Sequence, residues 1–272
     1  MLAYLPVLLL AQTALSSPNV SAGIAAATVA PAPVAADPQT AGPDAGPETS
    51  VPSSGDIVVT ARRREERAQE VPLALSVVGG PEISRTGSFN VSRLQQLQPT
   101  LQFVSSNPRN SAINIRGLGA PFGLTNDGIE QGVGFYLDGV YVGRAGAATF
   151  DFVDVDRVEI LRGPQGTLYG KNTTAGAINV TTRPPSFTPE ARFELSGGNY
   201  DFLQIKGSAS APIVADTLAV RVSVSRTSRS GTIRDVASDD DIHRQDNFSA
   251  RGQLLWRATP DLSFTLAGDF NL

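Results

Sequence analysis

The chain has 272 residues, 22 basic and 26 acidic, for a formal net charge of -4, so neither its charge nor its distribution favours a nucleic-acid partner. It holds no cysteine and a single histidine, His243, which excludes a disulfide scaffold, a thiolate metal site and any His-based metal centre or acid-base pair. Apolar residues make up 41% of it, yet beyond the first twenty residues no run is long enough for a membrane-spanning helix; contact with a bilayer would have to be made by strands.

The chain opens on an apolar run at 2–15, LAYLPVLLLAQTAL, with the character of a secretory h-region, and residues 1–17 are expected to be a signal peptide. No Lys or Arg follows Met1, so a misassigned start or an apolar tail stays open as the alternative. Residues 18–55 are Ala, Pro, Ser, Thr and Gly with almost no large apolar side chain. Such a segment buries too little surface to offset its ordering entropy, and is expected to be a disordered tether. It ends at a β-prone island, Asp56, Ile57, Val58, Val59, Thr60 and Ala61, beside the charged run 62–67. This island is either the first strand of the next domain or a strand that a partner recruits to a sheet edge. Arg62, Arg63 and Arg64 are balanced by Glu65, Glu66 and Glu70, which argues for a solvated linker face.

From 67 to 185 the pattern is mixed α and β. A strand is expected at 73–78, short helices at 82–85 and 91–97, and further strands at 101–104, 112–116, 134–142, 157–161 and 177–182. Val91, Leu94 and Leu97 fall on one helical face, with Asn90 as N-cap. The stretch 154–183 carries a strand, a break at Gly163-Pro164, a glycine-dense connector and a second strand. It imitates a phosphate loop at Gly170-Lys171, but the defining positions hold Gln165 and Asn172. Gly117, Gly119 and Gly123 do not have dinucleotide-loop spacing. The polar stretches around Asn107, Arg109 and Asn110 and around Phe122, Asn126 and Asp127 read as loops.

After Pro184-Pro185 the sequence alternates. Phe193 and Leu195 oppose Arg192, Glu194 and Ser196; Val220, Val222 and Val224 oppose Arg221, Ser223 and Ser225; Leu254 and Trp256 oppose Gln253 and Arg257. About five strands are expected over 190–272, with connections that run short, short, long, short. Alternation also suits a soluble, half-buried sheet, but the small polar side chains of the second face favour a wet lumen. The acidic loop residues Asp235, Asp239, Asp240, Asp241 and Asp246 do not have EF-hand spacing, and no metal site is expected.

The run VDRVEILRGPQGTLYGKNTTAGAINVTTRPP at 155–185, together with INIRGLG at 113–119 and FYLDGVYVG at 135–143, resembles the plug domain of TonB-dependent outer-membrane receptors, of the siderophore-receptor kind. The resemblance implies an α+β plug domain, a mixed sheet with short helices, followed by antiparallel strands of an incomplete transmembrane β-barrel. It implies that residues 56–61 are the TonB box, captured by TonB with its inner-membrane energising complex. The ligand it implies is a ferric siderophore or another iron complex. It also implies the outer membrane of a Gram-negative bacterium, contact with outer-membrane lipid, no cofactor and no enzymatic activity.

Onto the family's charged plug–barrel cluster map Arg116, Glu159 and Arg162; Gly117, Gly163, Gly166 and Gly170 map onto its packing glycines, expected to lie close against a barrel wall. Asn107, Arg109, Asn110, Phe122, Asn126 and Asp127 become ligand-facing candidates, though they would also suit plain surface loops. Five strands cannot close a lumen around a plug, so the chain reads as a fragment not competent for transport alone. The alternative from another class is a soluble periplasmic plug-like binding protein, which would need its sheet's apolar face covered.

Overall fold

A computed structural model describes residues 7–13, 57–107, 110–121, 128–236 and 239–272. In chain order the elements are β1 (Val7–Thr13), β2 (Val58–Val59), β3 (Glu66–Arg67), β4 (Ala74–Gly79), α1 (Gly80–Thr86), α2 (Val91–Leu94), β5 (Leu101–Ser105) and β6 (Ser111–Ile115). There follow β7 (Val133–Leu137), β8 (Val140–Tyr141), a 3-10 turn (Ala145–Thr149), β9 (Val155–Arg162), α3 (Gly166–Tyr169) and β10 (Gly176–Thr182). The long strands come last: β11 (Glu190–Gly198), β12 (Phe202–Val214), β13 (Leu218–Arg229), the small β14 (Ile233–Arg234) and β15 (Asp241–Ile242), then β16 (Gln245–Thr259) and β17 (Leu262–Asn271). The expected tether, 18–55, and Asp56 lie outside the described residues. The leading apolar run contributes β1, antiparallel on the edge of β17.

The α+β domain is built on a five-stranded sheet in the order β4-β9-β10-β7-β8. β9 and β10 lie inside it and are buried along most of their length, because both of their faces are covered. Val158, Ile160, Ile178 and Val180 turn to one side, where they pack with Ile83, Val91 and Leu94 of α1 and α2. Leu161, Ala177, Tyr136 and Tyr169 turn to the other, where they meet Val59 and Ala61. Asn90 caps α2 as expected, its side chain accepting from Arg93 N at 3.1 Å. The expected strand at 134–142 divides into β7 and β8, because Asp138-Gly139 turns the chain with both residues at positive φ. The glycine-dense connector holds α3, a helical turn that its sequence does not announce.

The second sheet has the order β1-β17-β16-β13-β12-β11, antiparallel throughout and open. Its connections at 199–201 and 230–244 share one end, where Ser230 N donates to Tyr200 O at 2.8 Å. Those at 215–217 and 260–261 share the other, where Arg257 N donates to Thr217 O at 2.8 Å. The two faces of this sheet invert the usual order of a soluble protein. Phe193, Leu195, Leu203, Ile205, Val222, Val224 and Trp256 are exposed, whereas Gln204, Arg221, Ser223, Ser225, Thr227, Arg251 and Gln253 are buried. An apolar face turned outward and a polar face turned to a packed domain is the pattern of a membrane barrel wall. The soluble reading needed that apolar face covered, and here it is bare.

Candidate functional site

The β-prone island at 57–61 is docked on the domain. β2 pairs with β3, Val58 opposite Arg67 and Val59 opposite Glu66, which folds 57–67 into a small hairpin. Strand alternation then exposes Val58 and fully buries Val59 and Ala61 against Leu161, Tyr169 and Ala177.

Thr60 lies over the sheet at Glu159. Its N–H donates to Glu159 Oε1 at 2.8 Å, and its hydroxyl lies 3.1 Å from the same oxygen. Glu159 is fully buried and is matched by Arg157, whose Nε donates at 2.8 Å, and by Asn179, whose Nδ2 lies 3.4 Å from Oε2. Burial works against the Arg157 guanidinium, but its bonds to Glu159 and Asp156 prevail and hold its pKa above the usual arginine value. Next along, Tyr169 OH donates to Ala61 O at 3.0 Å, and Arg63 both donates to Leu168 O at 2.8 Å and lies over the Tyr169 ring. Burial, with the Glu159 charge added, pushes the Tyr169 phenol up to about 12, so it stays a donor. The charged run is internally paired, Glu66 taking Arg62 at 3.2 Å and Arg64 at 2.5 Å.

The charged cluster expected from Arg116, Glu159 and Arg162 does not assemble. Glu159 and Arg162 are three apart on β9 and so face opposite sides. Glu159 faces Thr60; Arg162 donates to the carbonyls of Ala74 and Leu75 at 3.5 and 3.3 Å; Arg116 follows β6 in a left-handed turn at φ 55°.

The charges that join domain to sheet lie elsewhere. Asp154 takes Arg221 of β13 at 2.5 Å, and the same guanidinium reaches Glu190 of β11 at 2.6 Å and the Pro184 carbonyl at 3.2 Å. Asp138 takes Arg251 of β16, which also bonds Asp269 of β17 at 2.5 Å. Asp138 further accepts from the N–H and hydroxyl of Thr182, both at 2.7 Å. Asp151 has neutral donors: the Thr227 hydroxyl, itself held by Gln204 at 2.7 Å, and Asn247 at 3.0 Å. Burial raises the Asp151 carboxyl above the usual range, against the lowering effect of those bonds. Asp138 and Asp154 both sit at left-handed φ, 48° and 50°. The Asp138-Gly139 pair, inside the strand expected at 134–142, carries a turn signal in its residue types, but nothing in the sequence marks its partner 113 residues away.

A Cβ at Gly117, Gly163, Gly166 or Gly170 would meet nothing within 4 Å among the described residues. Gly117, Gly163 and Gly170 adopt positive φ, which glycine supplies at no steric cost. Close approach is found at Gly176, where a Cβ would fall 2.3 Å from the Leu161 carbonyl. Of the expected ligand-facing residues, Asn107 and Asn110 close the β5–β6 turn, with Asn110 N donating to Asn107 Oδ1 at 3.0 Å. Arg109, Phe122, Asn126 and Asp127 lie outside the described residues.

The family profile described as TonB-dependent Receptor Plug Domain matches residues 67–177, the sheet and helices just described. Residues 67–177 are the plug domain of a TonB-dependent receptor. The strands from β11 onward extend it with part of the receptor's barrel wall. The chain is 32% identical over 200 residues to the pesticin receptor of Yersinia pestis, covering 72% of this chain and 29% of that protein. It is 29% identical to a vitamin B12 transporter of Vibrio vulnificus over 155 residues, 55% of this chain and 24% of that protein. Among solved structures, the ferric yersiniabactin uptake receptor of Yersinia pestis superposes with a TM-score of 0.62 at 30% identity, over 73% of this chain and 32% of that one. The chain therefore spans under a third of the length of these relatives. They are receptors and transporters, not enzymes.

Proposed function

We propose that this chain supplies the plug and first wall strands of an outer-membrane receptor for energy-coupled uptake of a scarce ligand in a Gram-negative cell. The ligand class that fits the 30% identical ferric yersiniabactin receptor is a ferric siderophore or similar iron complex. In this reading residues 56–61 are the TonB box, and TonB takes them as an added strand, backbone bonds giving affinity and alternate side chains giving specificity.

The observation that carries the reading is the hairpin at 57–67. It is a β-prone segment at the head of the plug, with Ile57 and Val58 exposed and Val59 and Ala61 sheltered. It is held by side-chain bonds to Thr60 and Ala61, by Arg63 on the Leu168 carbonyl and by burial of Val59 and Ala61, so a competing strand can replace these contacts without dismantling the central sheet. Capture by the periplasmic domain of TonB tests it, comparing Val58→Pro with the parent. Proline removes a backbone donor and blocks strand pairing, so the variant is expected to lose capture. Equal capture of both would sink the strand-pairing role.

A further inference from the structure

The hairpin is touched by an element that the proposed function leaves unused. α3 and the residues on either side of it, 163–172, face the hairpin with Tyr169 and Leu168 and face away from it with Lys171. Lys171 forms an ion pair with Glu130 in the loop leading into β7, on exposed surface. That loop is tied to the sheet at its far end, where Ala175 N donates to Gly132 O at 2.8 Å.

Between these contacts α3 and its flanks form one hydrogen-bonded unit. Gly163 and Gly170 flank it at φ 92° and 91°. Gly163 N donates to Ala175 O at 3.0 Å, Gln165 N to Thr173 O at 2.9 Å, the Thr173 hydroxyl to Gly170 O at 2.6 Å and Tyr136 OH to the Tyr169 carbonyl.

We propose that α3 is a coupling element: the state of the 128–132 loop, read through Glu130 and Lys171, sets how firmly Tyr169 and Leu168 hold the hairpin at Ala61 and Arg63. The chemistry is specific at each link. Tyr169 OH donates to the backbone carbonyl of Ala61, a group that an incoming strand would need. Arg63 is held by the Leu168 carbonyl and the Tyr169 ring together, so a small rotation of α3 weakens both. Lys171, Leu168 and Tyr169 lie within four consecutive residues, and a displacement of Lys171 is carried directly to the other two. Lys171 is thus a positioning residue for the hairpin, although it touches none of it. This deepens the reading of 57–61 as the TonB-captured strand and rests on it.

Because the chain has no cysteine, a Val59→Cys reporter is its single thiol. Val59 is fully buried under the docked hairpin, so the rate of maleimide labelling of the intact chain measures lifting without TonB or ligand. Failure here is therefore distinguishable from failure of TonB capture. Tyr169→Phe keeps the ring and removes one buried hydrogen bond, and labelling is expected to rise about five- to tenfold. Lys171→Met and Glu130→Gln alter exposed side chains far from the reporter, and each is expected to raise it about two- to threefold. Added to Tyr169→Phe, Lys171→Met should bring no further rise, and the swap Glu130→Lys with Lys171→Glu should return the parent rate.

Parent-rate labelling in both Lys171→Met and Glu130→Gln would overturn the proposal. So would a Lys171→Met effect that persists undiminished in the Tyr169→Phe background, since Lys171 would then act by another route.

Discussion

The plug is held on two sides by different chemistry. Towards the hairpin, a charged group meets neutral partners: Glu159 accepts from the Thr60 backbone and keeps Arg157 and Asn179 as its own. Towards the wall, charge meets charge across the seam, Asp154 on Arg221 and Asp138 on Arg251. If the hairpin lifts, Glu159 remains paired with Arg157 and Asn179, and what is lost are the hydrogen bonds of Thr60, Ala61 and Arg63 and the apolar contact of Val59 and Ala61. Separation at the wall divides charge-assisted pairs within a buried seam, where each is worth more. The same domain thus carries a contact suited to being made and broken and a contact suited to staying.

The largest expected effect comes from the wall side. Arg221→Ala removes the cation shared by Asp154 and Glu190 and leaves Asp154 to Arg183 and the Ser223 hydroxyl and Glu190 to Arg192, a loss of about 2–3 kcal/mol. It should appear as a lower urea midpoint for plug unfolding in detergent micelles, with Val59→Cys labelling far less affected. Comparable changes in both readouts would erase the distinction between the two sides.

Glu159→Gln should act the other way round. It keeps the shape but removes the charge from the bond to Thr60, at about 1–3 kcal/mol, and should raise labelling at residue 59 while moving the urea midpoint less than Arg221→Ala does.

A smaller effect is expected from acid. Asp151 has its folded pKa raised, chiefly by burial, so its contribution to seating is fully present below the ordinary carboxylate range and is lost as pH rises through the folded value. Seating of the plug should therefore strengthen as pH falls from neutral towards that range. Asp151→Asn should flatten the pH profile of the urea midpoint; an unchanged profile would remove Asp151 from the account. Smallest of all is Arg226→Ala, whose pair with Asp246 at 3.3 Å is exposed on both sides, and whose effect should stay within about 0.5 kcal/mol.

Much of this architecture is legible in the sequence, because strand alternation is a local signal. Val220, Val222 and Val224 opposite Arg221, Ser223 and Ser225 predict which face is bare and which is buried; Val222 and Val224 are exposed, Arg221, Ser223 and Ser225 are buried, and Val220 is half-buried. β10 could be found from its β-branched residues, β9 from Val155, Val158, Ile160 and Leu161 set among charges, and the cap at Asn90 from its residue type. What was not legible is pairing across the seam. Arg162 and Glu159 look like partners in a line of text, yet strand geometry sends them to opposite faces. Asp154 finds Arg221 because the chain from 184 onward returns past it as a wall. The glycines of the connector illustrate a second limit: their density signals special backbone, but not whether close packing or positive φ requires it.

Asp138 and Asp154 each stand on left-handed backbone. Among residues with a side chain, aspartate and asparagine tolerate that conformation most readily, and of these aspartate brings the charge that the wall arginines require. At these two places the main chain has narrowed the alphabet before electrostatics is consulted. A glutamate moved in to lengthen the reach would carry the right charge on the wrong backbone. The fit between plug and wall can therefore be retuned more readily from the arginine side, where extended strands accept a wide range of side chains, than from the plug.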